Sequence, residues 1–265
     1  MRVDLHMHTE YSVDAAQAQT PLQKAQACLD AGLEIIGITD HLEYYHRRGP
    51  SENRDVEACL RDIRAAKQAF AGKLEVLVGI EVGQIYADPS ADAFLRSHAL
   101  DMVIGSLHVM PNDLDIYFHD FARMDCDAFL KDYFSELLRV SEHGGFDVLA
   151  HIDYPLRVMR HGEYIPSFDQ YMDRVEDVLR SCISHGYAFE LNAAGLGSWQ
   201  KKVGPPQNIL YEYRRLGGER ISIGSDSHTL DTVGRGVADC VRNARDAGFT
   251  SVTVFRGRRP EQVQL

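Results

Sequence analysis

The chain has 265 residues, of which 45% are hydrophobic, so it can bury one sizeable core, and we predict a single domain over residues 1–265. Its 39 acidic and 28 basic residues give a formal net charge of -11, which argues against extended nucleic acid or a membrane surface as a partner. A phosphorylated substrate would then need positive charge supplied locally, by metal ions or by a few arginines.

Short β-branched runs alternate with longer segments of helical period along the chain. The strand candidates are residues 2–8, 34–40, 74–81, 101–108, 147–151, 188–192, 221–225 and 251–255. The helix candidates are residues 21–31, 55–71, 127–143, 168–185, 207–216 and 233–247. Repeated strand–helix units with short connections predict a parallel α/β barrel. Two segments without periodicity, 110–123 and 157–167, follow strands, so we expect them to cover the barrel mouth.

Side chains that can bind metal recur where the predicted strands end. His6 and His8 alternate with Leu5 and Met7, so both imidazoles project to one face and can share an ion. The same residue types end further strands, whose carboxyl ends meet at the catalytic face of a parallel barrel. The predicted metal ligands are His6, His8, Asp14, His41, Glu81, His108, His151, Asp226 and His228.

This ligand set predicts more than one ion. A single hydrolytic zinc uses about three protein ligands plus water, so nine ligands with a bridging carboxylate suit two or three ions. Imidazole with carboxylate favours zinc, manganese or iron, divalent or trivalent, over calcium. Asp40, next to His41, is interpreted as an orienting neighbour or a strand-end cap. The histidines that end no predicted strand are interpreted as core or surface residues: His46, His98, His143, His161 and His185.

Other catalytic motifs are missing from the sequence. It has no Gly-x-Ser-x-Gly elbow, no Gly-x-x-x-x-Gly-Lys loop and no Gly-x-Gly-x-x-Gly after a strand, which disfavours serine hydrolases, P-loop ATPases and Rossmann dehydrogenases.

The cysteines and the apolar segments indicate a compartment. The five cysteines are scattered without a Cys-x-x-Cys pair, and we find no export leader at the N-terminus. No apolar stretch approaches the roughly 18 residues that span a bilayer. We therefore expect reduced thiols in a cytoplasmic protein; the sequence carries no signal for an oligomeric state.

Motifs at the strand ends together resemble the PHP (polymerase and histidinol phosphatase) superfamily and, within it, the monofunctional histidinol-phosphate phosphatases. The resemblance runs from His6 to about Pro260. It implies a distorted seven-stranded barrel, (β/α)7, with a three-metal site at the C-terminal ends of the strands. The motifs are His6-x-His8, Thr39-Asp40-His41, Gly79-Ile80-Glu81, Gly105-Ser106-Leu107-His108, Ala150-His151 and Gly224-Ser225-Asp226-Ser227-His228.

The resemblance also divides the ligands among three ions. The first ion would be held by His6, His8, Glu81 and Asp226. Glu81 would bridge to a second ion, held with His108 and His151. The third ion would be held by Asp14, His41 and His228.

The function that the resemblance implies is hydrolysis of L-histidinol phosphate in histidine biosynthesis. We predict that a metal-bridging hydroxide attacks phosphorus in line with the ester oxygen. Glu81, Asp226 and His228 are the candidate catalytic residues. Arg157 and Arg160 follow the fifth strand and are the candidate phosphate-binding residues, because a guanidinium fork can meet phosphate oxygens in bidentate fashion.

Three alternatives stay open at the level of sequence. The first is a PHP phosphoesterase for another small phosphomonoester or a nucleotide. The second is an amidohydrolase-type barrel, which also begins with His-x-His, although its metal-bridging lysine has no evident counterpart here. The third is a catalytically silent metal-binding domain, which would be expected to have lost ligands.

Overall fold

The barrel is built from parallel strands that neighbour one another in chain order. The structure, a computed structural model, describes residues 2–15, 18–44, 55–111, 114–160 and 166–265. The order within the sheet is β1-β2-β4-β5-β6-β7-β8, and each neighbouring pair is parallel. These strands are β1 (Val3–Asp4), β2 (Ile35–Ile38), β4 (Glu75–Gly83), β5 (Met102–Ser106), β6 (Val148–Leu149), β7 (Ala188–Asn192) and β8 (Ile221–Gly224).

Backbone hydrogen bonds between the last strand and the first close the barrel. Leu5 N donates to Ile223 O at 2.8 Å, and Asp226 N donates to His6 O at 2.8 Å. A short strand that we did not predict, β3 (His41–Glu43), follows β2 and also pairs in parallel with β4. The predicted distorted (β/α)7 barrel is therefore confirmed.

All six predicted helices are present among the helices of the described residues. The helices are α1 (Pro21–Asp30), α2 (Val56–Ala69), α3 (Ser90–Ser97), α4 (Cys126–His143), α5 (Tyr154–Val158), α6 (Met172–His185), α7 (Gln207–Arg215) and α8 (Val237–Asp246). Local caps fix several starts: Thr20 and Gln23 form a capping box at α1, and the Asp125 side chain accepts from backbone amides at α4.

The differences from the predicted boundaries have local causes. Helix α8 begins at Val237 and not at residue 233, because Gly236 has a left-handed φ of 75° that no helix continues through. A 3-10 turn, Asp169–Tyr171, replaces the first residues of the predicted helix 168–185. The unpredicted α3 and α5 have eight and five residues, too few to show a helical period clearly.

The last predicted strand lies outside the barrel sheet. Strand β9 (Ser251–Arg256) forms an antiparallel hairpin with β10 (Arg259–Gln264). Arg256 Nη2 donates to Glu75 Oε2 at 2.8 Å, at the start of β4, and Arg258 pairs with Asp147, just before β6. The hairpin is therefore attached at the amino ends of the strands, opposite their carboxyl ends.

The core lies inside the barrel and between the strands and their helices. The β2 run is buried at every position, as expected for a parallel strand that is covered on both faces. On α2, Leu60 and Ile63 are fully buried, and burial of each such side chain contributes about 1.5–3 kcal/mol. None of the helices among the described residues combines the length and the apolar character needed to cross a membrane.

Candidate metal centre

The carboxyl ends of the strands bring all nine predicted ligands into one cluster. His6 and His8 lie beyond β1, where Met7 forms a parallel bridge with Ser227. Glu81 projects from β4 at the centre of the cluster, and its side chain is 0% exposed. The remaining members lie in β3 or in the loops that follow β1, β5, β6 and β8: Asp14, His41, His108, His151, Asp226 and His228.

The first group surrounds one carboxylate oxygen of Glu81. His6 Nε2 is 3.2 Å and His8 Nε2 is 3.6 Å from Glu81 Oε2, and the two imidazole nitrogens are 3.1 Å apart. Asp226 Oδ1 lies 3.2 Å from His8 Nε2. The four residues that the resemblance assigned to the first ion therefore converge in space.

The second group surrounds the other oxygen of the same carboxylate. Glu81 Oε1 is 2.9 Å from His151 Nε2 and 3.2 Å from His108 Nε2. The two imidazole nitrogens are 3.4 Å from each other. Because its two oxygens serve different groups, Glu81 has the geometry of a bridging ligand.

The third group lies on the open side of the cluster. Asp14 Oδ2 is 3.0 Å from His228 Nε2 and 3.6 Å from His41 Nε2, and the Asp14 side chain is 54% exposed. His41 Nδ1 also lies 3.0 Å from Glu81 Oε2, which connects this group to the other two. A substrate can therefore approach from the Asp14 side.

The hydrogen bonding of the cluster fits bound cations. Three buried atoms, His41 Nδ1, Glu81 Oε2 and His228 Nε2, lie close to other atoms of the cluster but form no hydrogen bond of normal geometry within the described parts of the chain. Such orphaned buried atoms are costly unless something else satisfies them. Lone pairs of imidazoles and carboxylates that face one another are the donor set that zinc, manganese and iron prefer.

Carboxylates also shift the pKa values of the histidines. Burial alone would lower the pKa of His6, but Glu190, Glu81 and Asp226 outweigh it and raise that pKa well above its usual value. The pKa of His108 is likewise raised to about 10 against the effect of burial, by Glu43 and Glu81. Without metal, these imidazoles therefore hold protons at neutral pH.

Binding of Zn²⁺ to the metal-free protein at pH 7 is expected to release protons, about one or more per cluster, since an imidazole must be neutral to bind metal. Because the raised pKa values favour the protonated form, metal affinity should increase as pH rises. Calorimetric titrations in buffers of different ionisation enthalpy measure the released protons. Zinc uptake with an unchanged proton count at pH 7 would contradict this prediction.

Glu190 in β7 supports the cluster from behind, and the sequence analysis missed it. Its Oε1 accepts from His6 Nδ1 at 2.6 Å, which leaves His6 Nε2 facing the cluster. Its Oε2 accepts from His151 N at 2.8 Å and from Asn192 Nδ2 at 3.1 Å. A carboxylate behind a ligating histidine fixes the ring and its tautomer. A glutamate in the middle of a fully buried strand was the available signal.

Replacing Glu190 with glutamine should lower zinc affinity by about 10–100-fold, the usual range for a group behind a ligand. A carboxylate accepts from both His6 Nδ1 and His151 N, whereas an amide can offer its oxygen to one of them and must turn its NH₂ toward the other. Competition with a chromophoric chelator measures the affinity. The exposed Glu142→Gln serves as the matched control, and equal affinities in both variants would rule out this role.

We interpreted Asp40 as an orienting neighbour of His41 or a strand-end cap, and in the structure its carboxylate contacts Thr9 and Ser12. Its Oδ1 accepts from Thr9 N and from Ser12 Oγ, each at 2.7 Å. Ser12 Oγ in turn lies 3.0 Å from His8 Nδ1. Asp40 therefore acts on His8 through a serine hydroxyl. Another carboxylate, Glu43, accepts from His108 Nδ1 at 2.7 Å.

The two candidate phosphate-binding arginines differ in position. Arg157 Nη1 donates to Asp226 Oδ2 at 3.0 Å, and its side chain is 8% exposed. Its Nε lies 3.6 Å from the buried Asp153 Oδ2, and Nε and Nη2 are buried without a hydrogen bond in the described residues. Arg160 is exposed and places its guanidinium over the Trp199 ring, 5.4 Å from the centroid.

The remaining histidines of the described residues lie apart from the nine ligand-type residues. His143 is the last residue of α4 and His185 the last residue of α6. His98 contacts Glu57, and His119 packs beside Phe121. His46 and His161 lie outside the described residues.

A (β/α) barrel whose strand ends gather six imidazoles and three carboxylates, one of them a shared glutamate, is a metal-binding barrel of the type that hydrolases use. Comparisons with known proteins specify the family. The family model described as "PHP domain" matches residues 4–194. The chain belongs to the PHP domain family.

Relatives match over nearly the whole chain. A Deinococcus radiodurans protein named "Probable histidinol-phosphatase" is 30% identical, and the match covers 97% of each chain. The histidinol-phosphatase of Lactococcus lactis subsp. lactis is 23% identical over 97% of this chain and 96% of the relative. A crystal structure of histidinol phosphate phosphatase from Lactococcus lactis, complexed with zinc, L-histidinol and phosphate, superposes with a TM-score of 0.87 at 22% identity and 98% coverage of each chain.

Proposed function

We propose that this chain is a metal-dependent phosphatase that hydrolyses L-histidinol phosphate to L-histidinol and phosphate. The observation that carries the proposal is that nine ligand-type side chains, with Glu81 at their centre, come together at the barrel mouth. Full-length similarity to proteins named histidinol-phosphatase supports the substrate. The activity places the chain in histidine biosynthesis.

We infer that the site takes two or three divalent or trivalent ions, with zinc, manganese and iron as the candidates. The ligand set suits all three metals. The three groups described above would hold them, with Glu81 shared between two. Ions bound there supply Lewis acidity, which activates water near neutral pH and offsets the negative charge of the phosphoryl oxygens.

The chain's own residues then have distinct tasks. Arg157 binds phosphoryl oxygens through Nε and Nη2, while its Nη1 stays on Asp226. Glu190 and Asp40 orient His6 and His8 from behind. Glu81, Asp226 and His228 are the proposed catalytic residues, because each would hold a metal ion: Glu81 and Asp226 belong to the first group, and His228 belongs to the third. The buried side of the cluster, at His6 and Glu81, keeps bulk water out, and the open side near Asp14 admits the ester.

A panel of substrates tests the proposal. The protein, loaded separately with zinc, manganese or iron, is incubated with L-histidinol phosphate, other small phosphomonoesters, nucleoside monophosphates, an amide and a lactone. We expect phosphate release to be fastest from L-histidinol phosphate and to stop when a chelator removes the metal. Faster hydrolysis of another ester would identify that ester, in place of L-histidinol phosphate, as the substrate. Amide or lactone hydrolysis without phosphate release would favour an amidohydrolase, and bound metal without any turnover would favour a silent domain.

We also propose a setting for this activity. The partner is a small phosphorylated substrate, and neither extended nucleic acid nor a membrane is involved, in line with the net charge of -11. All five cysteines are free thiols and four of them are buried, which supports a reducing, cytoplasmic location. The chain is proposed to act as a single domain.

A further inference from the structure

Lys24 is a fully buried cation that the proposed reaction does not use. It lies in α1 on the same face as Pro21, Ala25 and Cys28, the buried residues of that helix. Lysine is almost never fully buried unless its ammonium group is paired. Within the described residues no carboxylate forms an ion pair with Lys24, and its Nζ is satisfied by other groups.

The contacts of Lys24 all fall on the turn that carries two of the predicted ligands. Its Nζ donates to Ser227 O at 3.1 Å, to Ser227 Oγ at 3.3 Å and to Thr229 O at 3.1 Å. Three ammonium donors therefore meet three acceptors on residues 227–229. Asp226 and His228 flank Ser227 in sequence, so this turn sets the positions of both.

The turn needs such support because its backbone is strained. Asp226 has a φ of 55°, in the left-handed region that non-glycine residues rarely adopt and that costs of the order of 1–3 kcal/mol. In this conformation Asp226 Oδ1 lies 3.2 Å from His8 Nε2, and the His228 ring stacks on His8 at 4.2 Å. A relaxed turn would move both side chains away from the cluster.

Packing alone does not account for a lysine at this position. Taking an ammonium group out of water costs several kcal/mol, and an apolar side chain of similar length avoids that cost. Methionine fills the same volume against Ala25 and Cys28 without any donor. The benefit of Lys24 therefore lies in the three hydrogen bonds to the turn.

We propose that Lys24 is a positioning residue for the metal centre, which holds the turn Asp226–Thr229 so that Asp226 and His228 reach their ions. This inference rests on the proposed metal site but not on the identity of the ester. Two of the three proposed ions use a residue of the turn: one uses Asp226 and another uses His228. The third, between Glu81, His108 and His151, uses none.

The test compares Lys24→Met with Gln26→Met, which introduces the same side chain on the exposed face of α1. Each metal-free protein is titrated with Zn²⁺ against a chelator, and Co²⁺ absorption spectra report the geometry of each binding step. In Lys24→Met we expect two binding steps to weaken by about 10-fold or more, while the third keeps its affinity. Gln26→Met should match the wild type, and thermal unfolding of the metal-free proteins should show no loss of stability in Lys24→Met.

Other outcomes would overturn the proposal. If Lys24→Met binds zinc with wild-type affinity at every step, the proposal is wrong. It is also wrong if zinc affinity falls equally at all steps and the stability is lower, since that result indicates a merely structural role. If Lys24→Met does not fold, Ser227→Ala removes one acceptor of the Lys24 ammonium group and should weaken the same two binding steps. Unchanged zinc binding in Ser227→Ala also overturns the proposal. Since the readout is metal binding, a protein that binds zinc normally but does not hydrolyse L-histidinol phosphate contradicts the proposed function and not this inference.

Discussion

Replacing Glu81 with glutamine is expected to remove bound metal and to lower the turnover of L-histidinol phosphate by about 10³-fold or more. Glu81 belongs to two of the groups and contacts the third through His41, and its two oxygens face His6, His41 and His151 at 2.9–3.2 Å. Glutamine keeps the shape but loses the negative charge and one acceptor. Lewis acidity is worth several kcal/mol to the transition state, and each 1.36 kcal/mol is tenfold in rate.

The matched control is Glu57→Gln, the same substitution at an exposed position on α2. Metal content and turnover are measured on both variants, and circular dichroism checks the fold. The barrel should stay folded in Glu81→Gln, because its apolar core does not depend on a residue at the mouth. Normal turnover in Glu81→Gln with a full complement of metal would exclude the bridging role.

Replacing Arg157 with alanine should lower kcat/KM for L-histidinol phosphate by about 10²–10³-fold, the usual effect of losing one preorganised donor to a developing anion. Asp226 and Asp153 hold its guanidinium in place, and two of its buried nitrogens form no hydrogen bond in the described chain, so the side chain is preorganised for an oxyanion. The loss should also weaken inhibition by inorganic phosphate, which has no alcohol portion. Steady-state kinetics with phosphate as the inhibitor measures both effects.

Arg160→Ala is the companion variant. Its guanidinium stacks on Trp199 and is exposed to solvent, so we expect a much smaller change in kcat/KM than for Arg157. The reverse order of effects would assign phosphate binding to Arg160. If neither variant changed KM, turnover or phosphate inhibition, the arginine site would have to be abandoned.

The metal centre was largely predictable from sequence, because residue type and position along a strand carry the information. His6 and His8 alternate in an extended run, and His108 and His151 each stand two residues beyond the end of a strand. In a parallel barrel those ends must meet. The grouping among ions came from family resemblance, and the structure brings the same three groups of side chains together.

The supporting residues were not predictable, because their partners are distant in sequence. Glu190 meets His6 across 184 positions, and Lys24 meets Ser227 across 203. Both looked like ordinary polar residues of a strand and a helix. Each is a charged side chain at a buried position of its element. That burial can be recognised only when the neighbouring elements are in place. Short elements such as α3 were missed for another reason, since eight residues give too weak a period.

Because the β9–β10 hairpin is attached at the amino ends of the strands, the stability of the protein can be engineered separately from its catalysis. Its ion pairs to Glu75 and Asp147 lie at the pole away from the proposed metal ligands, and the residues of β10 are mostly exposed. Substitutions there should change heat tolerance without altering catalysis, because that pole of a barrel contributes to stability. Immobilisation of the protein on a support through β10 would leave the reactive end facing the solution.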